Sequence, residues 1–191
     1  SMRNLLVVSS LAFSLAFSQL ALAHDDAKVD AAMQNSPGAA KAPYDVQFLD
    51  TMAAHHGEAI RMSRLAVDKA RSDSLRAKAQ QMIDDQEAEI RVLKSMREDV
   101  DAEAPSAVNR KLPGMAMMDM SKLESASGEE FDRRFFDMTI THHQGAVEMS
   151  KSELKSGKNQ SVKDKAQEII DKQVEEIAEL KQMRASPDRE P

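Results

Sequence analysis

"QFLDTMAAHHGEAIRMS" (47–63) and "RFFDMTITHHQGAVEMS" (134–150) are two copies of one pattern, and four of the chain's five histidines lie in them. Within the first, Phe48, Met52, His55, Ala59, Met62 and Ala66 recur at alternating three- and four-residue steps, which marks one face of a helix. A second stripe follows at Leu75, Ala79, Met82, Ile83, Gln86, Ile90, Leu93 and Met96. "KARSDS" lies between the stripes, with Ser72 and Ser74 as candidate caps for a tight turn. The pair of stripes predicts a helical hairpin.

The hairpin repeats. His55 and His142 are 87 positions apart, and the same offset carries Phe48 onto Phe135, Asp50 onto Asp137, His56 onto His143, Met62 onto Met149 and Ser63 onto Ser150. It also carries Ala79, Ile83, Asp84, Gln86, Glu89, Ile90 and Leu93 onto Ala166, Ile170, Asp171, Gln173, Glu176, Ile177 and Leu180. Neither hairpin buries its apolar stripe alone, so two should pair into an all-α four-helix bundle. The joint, "AEAPSAVNRKLPGMAMMDMSKLESASG" (102–128), far exceeds the roughly 2–8 residues that join neighbouring antiparallel helices. A crossover loop of that length implies ferritin-like topology, with the two doublet-bearing helices antiparallel across a pseudo-twofold axis. The expected organisation is a first hairpin at 44–101, the crossover at 102–128 and a second hairpin at 129–184, with a disordered tail at 185–191.

Residues 1–23 read as a secretory signal, with Arg3, an apolar stretch and Ala21-Leu22-Ala23 as cleavage site; Ser1 ahead of Met2 reads as a cloning remnant. Residues 24–43, broken by Pro37, Gly38 and Pro43, read as a flexible linker. The expected location is the periplasm or the exterior, with no membrane association after cleavage. No cysteine is present, so packing must supply the stability there. A net charge of −6 without a basic stripe argues against nucleic acid as partner, and the absence of Trp with few aromatics removes base-stacking platforms.

The chemistry suggested is metal binding. Imidazole and thioether together suit Cu(I) and Ag(I), whereas Mg and Ca prefer hard oxygen. Helical spacing sets Met52 beside His55 and His56, and Met138 beside His142. Met62 and Met149 lie seven residues beyond the first histidine of each doublet, about 10.5 Å along a helix, and belong to a second site or to the core. One histidine of each doublet should point inward, while the other flanks the groove or faces solvent. "GMAMMDM" sets Met115, Met117, Met118 and Met120 together in the crossover, where clustered thioethers suit capture of Cu(I). His24, if freed by cleavage, would offer imidazole and α-amine to Cu(II). Met82, Met96 and Met183 read as core filling. Asp84, Asp171, Glu89 and Glu176 read as a solvated face, and Gln86 and Gln173 as inner residues that orient a histidine ring.

A di-metal carboxylate enzyme of the ferritin-like kind is the alternative. Its Glu-x-x-His motif is reversed at His55/Glu58 and missing at His142, where Gly145 holds the matching place. No complete catalytic motif is present. A metal-free interaction module built on the acidic helices is a third reading.

The doublet segments, each followed by an Asp-Gln-Glu helix ("MIDDQEAEI", 82–90; "IIDKQVEEI", 169–177), resemble domain-of-unknown-function family 305 over residues 44–184. That resemblance implies a secreted bacterial protein of ferritin-like topology, with periplasmic copper-binding members among its kin. It points to His55, His56, Met62, His142, His143 and Met149. Ala54 and Thr141 depart from the proline that often precedes the doublet in that family. The function expected is thus a periplasmic Cu(I)-binding protein for copper tolerance, storage or delivery, with a metal ion and other copper-handling proteins as partners.

Overall fold

Pro43, extended at φ −51° and ψ 144°, ends an irregular lead-in and starts the first long helix, a position where its missing N–H costs nothing. The computed structural model describes residues 31–116 and 118–186. Residues 1–30, which include the expected signal sequence and His24, together with Met117 and residues 187–191 lie outside the described residues. Helix α1 spans Tyr44–Lys69, α2 Asp73–Asp101, α3 Met120–Glu124, α4 Gly128–Ser156 and α5 Gln160–Ala185. The described residues contain no strand, so the fold is all-helical as expected.

The turns inside each hairpin are short because the next helix is capped at once. Ser72 Oγ accepts from the Leu75 amide at 3.2 Å, as its place in "KARSDS" suggested, and Ser74 bonds Ser72 instead of capping. Asn159 plays the same part for α5 through the Val162 amide. Cross-helix pairs give the directions. Asp50 meets Arg97 and Asp137 meets Arg184, so each hairpin is antiparallel. Tyr44, at the start of α1, bonds Ser152 near the end of α4, while Lys69 at the other end of α1 lies 5.7 Å from the Phe131 ring. Helices α1 and α4 are therefore antiparallel too. Lys78–Glu179 and Lys172–Asp85 close the opposite side between α2 and α5.

Given these directions, the chain leaves α2 at one end of the bundle and enters α4 at the other. Residues 102–127 make that journey along its length. The segment is anchored at its start: Asp50 accepts from the Ala107 amide (2.8 Å), Thr51 Oγ1 from the Asn109 amide (2.9 Å), and Asn109 donates to Gln47 (2.7 Å). Residues 31–43, expected as a loose linker, pack on it. Met33 and Ala39 are buried, and Ser36 bonds both Ser106 and Val108.

The core is split into two. Toward one end, Met62, Ala66, Leu75, Met82, Phe131, Phe135 and Leu180 form one apolar cluster; toward the other, Phe48, Met52, Leu93, Met149, Val162 and Ile169 form a second. Each large side chain fully buried there contributes about 1.5–3 kcal/mol. Between the clusters, every long helix carries polar side chains inward: His55, His56 and Glu58 from α1, Gln86 and Glu89 from α2, His142 and His143 from α4, Gln173 and Glu176 from α5. A layer of buried polarity in mid-bundle is costly, and it marks the place to look for function.

Candidate metal centre

All four doublet histidines are 1% exposed. The rings of His55 and His142 stack across the α1–α4 interface, centroids 3.6 Å apart and planes 24° from parallel. This is the meeting of the two repeats that the antiparallel arrangement anticipates. The second histidine of each doublet does not reach solvent, contrary to one of the expectations from spacing. The 100° turn between neighbours on a helix aims His56 at α2 and His143 at α5, and both helices cover them. His56 Nε2 donates to Glu89 Oε2 at 3.1 Å, and His143 Nε2 lies 3.1 Å from Glu176 Oε2.

Glu89 and Glu176 are therefore not on a solvated face. They are 8% and 5% exposed, Glu89 as the hydrogen-bond acceptor of His56 and Glu176 as the ion-pair neighbour of His143. Burial pushes both carboxyls up, but His56 and His143, with lysines nearby, leave both below the ordinary glutamate value. Asp84 and Asp171 do stay exposed, each accepting from a glutamine four residues earlier. Gln86 and Gln173 are buried as expected, yet neither bonds a histidine: both polar atoms of Gln86 and the Gln173 nitrogen have no hydrogen-bond partner.

The inner pair differs from the outer pair. Burial first, then His142, His56 and His143, push His55 well below the ordinary histidine pKa. Burial, His143 and His56 do the same to His142, opposed by its hydrogen bond to the His55 backbone. Both rings are thus neutral at neutral pH, the form that ligates metals. Glu58 Oε2 lies 3.4 Å from His142 Nε2. Neither ring nitrogen of His55 has a hydrogen-bond partner. Among the described residues, no three His, Asp or Glu side chains converge on one point as a metal-holding group.

The methionines fall on both sides of the histidine layer. Met52 and Met149 are fully buried in one apolar cluster, Met62 in the other, so Met62 and Met149 do not share a site. Met138 is half-buried against the Met62 cluster. The three described crossover methionines do not form one patch. Met115 packs toward Met52 and Met149, whereas Met118 and the buried Met120 pack toward Met62. Proximity in sequence suggested a cluster because the chain's course along the bundle was not visible there.

The sequence also missed a contact between two glycines. A Cβ on Gly145 would sit 2.3 Å from the Gly114 carbonyl oxygen and 3.4 Å from His55 Nε2. A Cβ on Gly114, whose φ is +81°, would sit 2.0 Å from the Gly145 oxygen. The crossover thus lies backbone-to-backbone on α4 beside the His55 ring. A proline–glycine pair in the joint was the available signal, but nothing in it named Gly145 as the partner.

The family described as "Domain of unknown function (DUF305)" matches residues 20–97 and 45–184. Among solved structures, Cu(I)-bound CopM is 30% identical, with a TM-score of 0.63 over 76% of this chain and 98% of that one. CopM has also been solved in Cu(II)-bound, Ag-bound and apo forms. A DUF305 fragment from Deinococcus radiodurans, at 24% identity, shares the fold with a TM-score of 0.66 over 75% of this chain and 97% of that fragment. No curated protein matches the chain.

Proposed function

We propose that this chain, which belongs to the DUF305 family, binds a soft monovalent metal ion, Cu(I) foremost, at the histidine layer between its two hairpins. The observation that carries the reading is His55 stacked on His142, with both His55 ring nitrogens uncommitted in a buried place. A neutral imidazole left without a partner is costly unless something other than a proton donor or acceptor uses its lone pair. Thioethers on both sides of the layer, Met52, Met149 and Met115 on one and Met62, Met138, Met118 and Met120 on the other, supply soft donors suited to Cu(I) and Ag(I). Copper-bound and silver-bound CopM supports the same metal class at family level.

The role that fits is non-catalytic: holding or passing copper in the periplasm, for tolerance, storage or delivery to other copper-handling proteins. Among the described residues no helix is long and apolar enough to cross a membrane. Titration of the full chain with Cu(I) under reductant should reveal binding, and His55→Gln with His142→Gln should weaken it about 10–100-fold. Binding no tighter than that of a methionine-poor helical bundle would sink the proposal.

One observation favours a second reading. Glu58, Glu89 and Glu176 put buried carboxylates, hard oxygen donors that suit iron or manganese, at the histidine level, each beside a different histidine. Iron or manganese retained through purification, with oxygen-dependent turnover, would select a di-metal redox enzyme instead.

A further inference from the structure

The duplicated layer keeps a carboxylate beside each outer histidine, though only His56 is hydrogen-bonded to its own, and it differs between repeats at the inner pair. His56 and His143 have equivalent carboxylates, Glu89 and Glu176, at the same 3.1 Å. The inner pair breaks this rule at one position. Glu58, beside His142, corresponds through the 87-residue offset to Gly145, beside His55. Where a carboxylate would stand against His55, no side chain stands at all.

The crossover fills the space. Gly114 sets its carbonyl against the bare Cα of Gly145, and each glycine is required because a Cβ on either would strike the other's backbone. Met115 follows immediately, half-buried, among Ala54, the residue before His55, and the Met52–Met149 cluster. His142 has both an acid neighbour and a bond to the His55 backbone, whereas His55 has no such bonds. A neutral ring beside the Gly114–Gly145 backbone contact, with Met115 next along the crossover and glycine at the position that holds Glu58 in the other repeat, favours a singly charged, polarisable ion over a divalent one.

Building on the metal-binding reading above, we propose that the site is one-sided: His55 receives one Cu(I) or Ag(I) on its Gly145 face, with Met115 of the crossover as thioether partner, while His142 stays with Glu58. Because His55 is 1% exposed and this segment covers it, the ion reaches the ring only when the Gly114–Gly145 contact opens.

Silver is the probe, being diamagnetic and redox-inert under the conditions used. Imidazole nitrogens of the ¹⁵N-labelled full chain are followed while Ag(I) is added. The His55 nitrogens should shift first and furthest, saturating near one ion per chain. Met115→Leu should weaken Ag(I) about tenfold or more, and by more than Met118→Leu or Met120→Leu. Gly145→Ala, whose methyl displaces the crossover, should also weaken it, and amides of residues 112–116 should then exchange faster while the helical signal is retained. Equal shifts at His55 and His142, or equal effects of the three Met variants, would overturn the one-sided site and leave metal binding standing. Should Ag(I) shift no ring at all, the metal-binding reading and this inference fall together.

Discussion

At the scale of single residues, the acid–base behaviour is set by what each buried group faces. Glu153 is buried near the end of α4, where burial and the neighbouring Asp45 carboxyl push its pKa to about 8. Asp45 stays below its ordinary value: burial opposes its charge, but the amides of Asn159 and Lys158 and a hydrogen bond with Glu153 outweigh it. Glu153 therefore holds a proton in the folded state that it would release when unfolded. Its contribution to stability is complete below about pH 4.5 and lost as pH rises through about 8. Glu153→Gln keeps the neutral form at every pH, so its melting temperature should exceed that of the parent at pH 9 by about 2–4 °C per kcal/mol relieved. The two proteins should converge near pH 5. Thermal unfolding followed by circular dichroism at both pH values checks this. Glu89 and Glu176 make a matched test of the repeat. Glu89→Ala strands the His56 donor, at about 1–3 kcal/mol in urea unfolding, and Glu176→Ala should cost nearly the same.

Helices and their turns were largely readable, because three- and four-residue steps and Ser or Asn before each second helix are local signals. The crossover was not. Its pairing of Gly114 with Gly145 joins two elements at positions that no periodicity connects, and Glu58, read only against a di-metal motif, gave no sign that it would stand beside His142 of the other repeat. Glu89 and Glu176 were visible as a duplicated pair, yet their burial depends on how far α2 and α5 roll toward the histidines, which the stripe did not fix. The crossover yields its own comparison. Gly38 and Gly114 both have positive φ, 75° and 81°, but only Gly114 has an obstruction where a Cβ would go. Gly38→Ala should lose about 1–2 kcal/mol from backbone strain alone. Gly114→Ala should lose more, because it also unseats the segment from α4. Denaturant unfolding of the two variants side by side decides the order.

For the molecule as a whole, the polar layer makes stability fall toward acid in two stages. His55 and His142 resist protonation when folded, so their contribution declines once pH drops below about 6.5, where the unfolded chain takes up protons. Glu89 and Glu176, held below the ordinary value, add a second decline below about 4.5. A stability profile from pH 8 to pH 3 should show both steps, and His142→Gln should flatten the first. If copper sits on the histidines, acid should release it as the folded rings take up protons, at a lower pH than the onset of the first step, whereas ions held by thioethers alone should survive. Dialysis at pH 7 and pH 5 followed by metal analysis separates the two pools.

The stacking of His55 on His142 sets matching positions of the two repeats face to face. A lone hairpin could assemble this layer by docking onto a copy of itself, with the same residue necessarily on both sides of the axis. Such a homodimer cannot carry glutamate beside one inner histidine and nothing beside the other. Two halves within one polypeptide are free of that constraint, and the connecting segment occupies the place where one half lacks a side chain. The Glu58–Gly145 difference is thus one that a single chain can carry and a docked pair of identical hairpins cannot.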